Sequence, residues 1–397
     1  MEELLRQAAF GNDPGAGRLL RAKAGSGPGR VRLLAGIVAG AEGRYATAAT
    51  VFQQLMRGDD RVVAAHAAAA FAAHRRQLGG HAAALAFDGL AVAWATTDLG
   101  KSGERDPDGL DAEGALVDGL LGLAADNLGV GRLGAARLLR AKAGRLLRAE
   151  AVEGSLARGS SESGRGEAVR LLRAKAARGA LTEDGEAGAG RPPQVGAVKG
   201  APAGGLPEGG QLAAGRPLRA GAAEGAPLGD LTEGGRTEGD LAQGGRTEAD
   251  RLLRAKAGSA RWRGWVRAGW VAAEIELAAG NASAAVGPAE EAAGIAHGRG
   301  AVRHGIKSDL VLAAALTAVG DSAGRERALD LVRNARLAAE KYELCSLIWP
   351  AALISADLVP ANGQLYRSRA DTVLHAVLLR ADPGGRRLAR ESPWVPV

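Results

Sequence analysis

After Gly43, the small or apolar residues Ala48, Ala49, Phe52, Leu55 and Met56 stand at offsets of 5, 6, 9, 12 and 13. After Gly280 the same five offsets hold Ala285, Val286, Ala289, Ala292 and Ala293. Such spacing makes one face of a helix with 3.6 residues per turn, whereas a strand would need strict alternation. Composition points the same way. Glycine accounts for 60 of 397 residues and aromatic residues for 3%, so the branched and aromatic side chains that fill a β-rich core are scarce. The chain is expected to be all-α.

The region around Gly280 reads as a helix, a Gly280-Asn281 stop and a second helix. Forty residues further on, "RGAVRHGIKSDLVLAAALTAVGDSAGRERALDLV" has the same layout with Gly320-Asp321 at the stop. In the first third of the chain a Gly79-Gly80 break precedes "HAAALAFDGLAVAWA", and the stretches 345–358 and 366–380 add further apolar helices. With Gly43, Tyr45 and Ala48 opening one helix, and small residues where helices cross, these units resemble tetratricopeptide repeats over about 30–145 and 260–380. The resemblance implies an α-solenoid of TPR-like helix-turn-helix pairs, each burying its apolar stripe against its neighbours.

Between residues 95 and 261 there is no aromatic residue, and Gly and Pro recur through tracts such as "GAGRPPQVGAVKGAPAGGLPEGGQLAAG". A segment of that kind cannot bury enough apolar surface to offset the entropy of ordering its backbone, so a largely disordered insert is expected. The expected organisation is an N-terminal segment 1–29, a helical block 30–148, a low-complexity Gly/Pro-rich segment 149–258, a second helical block 259–391 and a tail 392–397. The phrase "RLLRAKAG" occurs at 18–25, 137–144 and 251–258, and once more as "RLLRAKAA" at 170–177. Its leucines, cations and final glycine suit the last turn of a helix. The copies share no period, and buried and exposed positions are copied together, which reads as recent duplication, slippage or an artificially composed chain rather than as function.

Several functions lack their residues. Cys345 is the single cysteine, with no neighbour to lower its pKa, so neither a disulfide nor an activated thiol is expected. None of the six histidines forms an i, i+4 pair with a carboxylate close by, and no Ser-His-Asp grouping stands out. "GVGRLG" at 129–134 follows a segment that reads as helix, where a dinucleotide fingerprint needs a strand; "ATTDLGKS" at 95–102, with Lys101 and Ser102, is followed by breakers where a phosphate loop needs a helix. No run is long and apolar enough to span a bilayer. The expectation is a cytoplasmic non-enzyme without a cofactor.

Arg263 and Arg267 lie 17 and 13 residues before Gly280, and Arg303 and Lys307 lie 17 and 13 before Gly320. Each i, i+4 pair shares a helix face, and stacking two equivalent helices would align the pairs into a basic ladder. First helices of tetratricopeptide-like units line a concave surface, so the resemblance implies a protein-protein interaction scaffold holding an acidic peptide or protein through Arg263, Arg267, Arg303 and Lys307. An alternative is a regulatory nucleic-acid binder: the net charge is +7, and Arg137, Arg140, Lys142, Arg145 and Arg148 form a basic run interrupted by Gly144.

Overall fold

The computed structural model describes residues 1–16, 27–100, 105–159, 253–393 and 395–396, with backbone alone for 150–159. Every regular element among them is helical, and no strand occurs there. The first part comprises α1 (Glu2–Phe10), α2 (Gly29–Ala41), α3 (Tyr45–Met56), α4 (Arg61–Gln77), α5 (His81–Thr97), α6 (Ala112–Gly129) and α7 (Leu133–Gly159). The second comprises α8 (Trp262–Ala278), α9 (Ala282–Gly298), α10 (Val302–Val319), α11 (Ser322–Lys341), α12 (Cys345–Leu358), α13 (Gly363–Leu379) and α14 (Pro383–Glu391), with a 3-10 turn at Pro360–Asn362. The low-complexity insert expected at 149–258 lies mostly outside the described residues.

Helix starts and stops follow local chemistry. Asp60, Asp111, Asp321 and Asp382 precede α4, α6, α11 and α14, and each carboxylate accepts the N–H of the residue three positions on, satisfying one of the orphan donors of a first turn. At the other ends one turn recurs. The Asn281 N–H donates to the Glu276 carbonyl at 2.8 Å, with Gly280 at φ +79°, and the same six-residue closure follows α2 (Arg44 to Ala39, 2.9 Å) and α9 (Ala301 to Ala296, 3.0 Å). The expected equivalence of Gly280-Asn281 and Gly320-Asp321 is therefore only partial. Gly320 is left-handed at φ +83°, but Asp321 turns outward to cap α11.

Consecutive helices pack on one another, and alternate ones also touch: α4 on α6, α8 on α10, and α10 on α12. Small residues make this close. A Cβ on Gly119 would stand 2.9 Å from Val92 and 3.1 Å from its backbone nitrogen. A Cβ on Gly269 would stand 2.7 Å from the Pro288 carbonyl and 2.8 Å from the Ala292 side chain. The two parts are also packed against each other, since α8 lies on α6 and α7 while α12 touches α2 and α14 touches α4. One apolar core accordingly joins Leu34, Phe52 and Phe71 to Trp262 and Ile295.

Gly144 does not interrupt the basic run. It is buried within α7, which continues past the expected block end at 148 to Gly159. "GVGRLG" connects two helices, α6 and α7, as its context predicts.

Candidate functional site

Acidic residues brace the junction at the loop before α6. Arg6 of α1 grips Asp106 through two bonds of 3.1 and 2.6 Å and reaches Asp108 at 2.8 Å, while Arg30 also pairs with Asp106. Arg261, 3% exposed, donates to Asp111 at 2.7 Å and to Glu113 at 2.9 Å. Asp106 further accepts the backbone N–H groups of Asp108 and Leu110, and Asp111 those of Asp106 and Gly114. Burial alone would raise these carboxyls. The guanidinium and amide donors win, and both lie below the usual carboxylate range. This knot ties α1, α2 and α6 to the chain entering α8.

A second cluster stands where α8 packs on α6 and α10. Arg263 and Arg267 stand one turn apart on α8, and both turn toward Asp118 of α6: Arg263 donates to Oδ2 at 3.0 Å and to the Asp108 carbonyl at 2.9 Å, and Arg267 donates to Oδ1. His66 adds a contact at 3.7 Å. Asp118 is consequently pushed far below the ordinary carboxylate range, the cations overriding burial. Arg303 and Lys307 stand one turn apart on the neighbouring α10. Among the described residues neither has a hydrogen bond to an acid, and the Arg303 Nη1 atom is buried without a partner. Burial first, then Arg263 and Arg267, pull Arg303 down to about 10. Burial likewise lowers Lys307, which lies over the Trp270 ring at 4.3 Å. The four cations expected from spacing thus come within electrostatic reach of one another, two satisfied by one carboxylate and two with none.

Aromatic groups complete the wall. His304 lies 5.7 Å from Trp270 in a stacked arrangement and 4.9 Å from Trp262 edge-on, and burial beside Arg303 keeps it neutral. His74, stacked on Tyr45 at 4.8 Å, falls to about 3 for the same reasons. Trp262 and Trp270 are buried, so these rings pack the interior. Trp394 lies outside the described residues, but Val395 is buried and packs at Gly79, placing the tail on the turn between α4 and α5.

A third group was not singled out by pattern. Arg76 of α4 bridges Asp88 of α5 and Asp126 of α6, the latter at 2.8 Å, and both aspartates are fully buried. Burial raises Asp88 to about 7 against the opposing pull of Arg76. The signal was in the sequence. Asp88 is the one charged residue of the otherwise apolar "HAAALAFDGLAVAWA", and an acid on a buried helix face needs a cation.

The other candidates resolve simply. Lys101 and Ser102 lie outside the described residues. The Cys345 thiol is pushed up by burial, the opposite of activation. Among the described residues no group of three His, Cys, Asp or Glu side chains could hold a metal, and no helix is long and apolar enough to cross a membrane. No protein-family model matches this chain, and no curated protein matches it.

Proposed function

We propose that the protein is a non-enzymatic interaction scaffold of TPR-like α-solenoid build, which receives an acidic side chain or peptide against its inner face. The observation that carries this reading is the charge imbalance there. Of the four cations only Arg263 and Arg267 bond a carboxylate, that of Asp118, and among the described residues Arg303 and Lys307 are half-buried cations with no acid in contact. Half-burying a cation without an acid is costly, and an incoming carboxylate would gain charge-assisted hydrogen bonds where water competes weakly. Arg263 and Arg267 then act as the fixed positive wall, and Arg303 and Lys307 as the receiving groups.

The test uses fluorescent acidic peptides and the full chain. An R303M/K307M double variant should lose at least about tenfold in affinity, equivalent to about 1.4 kcal/mol, while R327A, whose exposed side chain pairs with Glu290, should bind as the parent does. Unchanged peptide binding by the double variant would remove the proposal.

A further inference from the structure

A cavity of about 360 Å³ opens beside the inner face, between the α4–α5 turn, α8, α10 and α12. Most of its wall is apolar, formed by residues such as Leu310, Ala314 and Trp349, and its polar groups include Arg76, Glu274 and Lys307. The volume falls at the small end of the range of about 300–1,000 Å³ typical of small-molecule clefts.

Charge narrows the occupant. Arg76 adds no net positive charge, because its guanidinium is already engaged by Asp88 and Asp126. Among the described lining residues, Lys307 is left as a cation and Glu274 as an anion without a hydrogen-bonded partner, while His81 lies 3.8 Å from Asp126. Glu274 is near enough to favour the charged form of Lys307 electrostatically, yet among the described residues no ion pair joins the two and neither is held by another side-chain hydrogen bond. A simple carboxylate would meet Lys307 and be repelled by Glu274; a simple amine would meet the reverse. A ligand carrying both charges satisfies both groups, and the apolar wall asks for an apolar body.

We infer that this cavity binds a free α-amino acid with a large apolar side chain, its ammonium group facing Glu274, its carboxylate facing Lys307 and its side chain against Leu310, Ala314 and Trp349. The site shares Lys307 with the proposed peptide surface but does not need Arg303, so the two readings can fail separately.

Calorimetry on the full chain with three probes of one shape tests it: L-phenylalanine, 3-phenylpropanoate without the ammonium, and phenethylamine without the carboxylate. L-phenylalanine should bind and raise the melting temperature, and each single-charge analogue should bind at least about tenfold more weakly. E274Q and K307M should each weaken L-phenylalanine by a similar factor. A314F, which fills the cavity without touching a charge, should abolish binding while helical circular dichroism is retained. R303M should leave L-phenylalanine binding intact even where it weakens acidic peptides. The inference is overturned by 3-phenylpropanoate binding as tightly as L-phenylalanine, by E274Q binding L-phenylalanine normally, or by no response to L-phenylalanine at about 10 mM.

Discussion

The acid-rich knot before α6 and the cation-rich cluster around Asp118 lie one to two turns apart at the same, N-terminal end of the helix pair α6 and α8, and differ in one respect. In the knot, Asp106, Asp108 and Asp111 meet Arg6, Arg30 and Arg261 with acceptors and donors in balance. In the second cluster one carboxylate serves two guanidinium groups, and among the described residues Arg303 and Lys307 have none. A balanced buried network fixes geometry, because every member loses partners if the elements move. An unbalanced one leaves cations without a counter-charge, as the proposed binding of an acidic partner requires.

The comparison breaks most visibly at Asp118. D118N would leave Arg263 and Arg267 beside Arg303 with no counter-charge, and a loss of about 3–5 kcal/mol is expected in urea unfolding, as for a buried ion pair robbed of one partner. Arg303 sharpens the contrast through its sign. R303M removes a half-buried cation that has no acid to lose, so stability should hold or rise by about 1 kcal/mol; a large loss would mean that Arg303 belongs to the structural network.

Acidity gives the next effect. His74 and His304 are held neutral by burial and by Arg303, His74 down to about 3. The unfolded chain binds protons at these imidazoles below their ordinary value and the folded chain does not, so their stabilisation is present above about pH 6.5 and is lost as pH falls. H304F should flatten that loss. Asp88 runs oppositely: raised to about 7, it contributes stability present below the ordinary carboxylate value that is lost as pH rises through 7, and D88N should remove that decline. Urea midpoints across the pH range separate the two. The smallest effect belongs to the exposed Arg333–Asp330 pair, where R333A should change stability by less than about 0.5 kcal/mol.

Much of the fold was legible because it depends on local rules. The offsets after Gly43 and Gly280 mark helix faces that the structure buries, with Ala48, Phe52, Ala285, Ala289 and Ala292 all at 4% exposure or less. The pairing of Arg263 with Arg267 and of Arg303 with Lys307 followed from the helical repeat alone. Their state of charge compensation did not. Asp118 is 145 residues from Arg263 in sequence, and nothing in either segment announces the other. Tertiary packing also hid the cavity, whose Glu274 and Lys307 line one wall only because α8 and α10 pack side by side.

The repeated phrase "RLLRAKAG" divides the two kinds of information. Its leucines and cations determine helix in both described copies. At 251–258 the chain stops as that composition suggests: 253–257 are helical, and the Gly258 N–H closes on the Arg254 carbonyl at 2.9 Å. At 137–144 the same eight residues lie inside α7, and Gly144 continues the helix. What differs is the neighbourhood. Beyond Gly144, Leu147 is 1% exposed and packs where a Cβ on Gly264 of α8 would stand only 2.9 Å from it. Burying that leucine against α8 offsets the roughly 1 kcal/mol that a glycine costs inside a helix. Propensity decided that a helix forms; only contact with a distant helix decided where it ends.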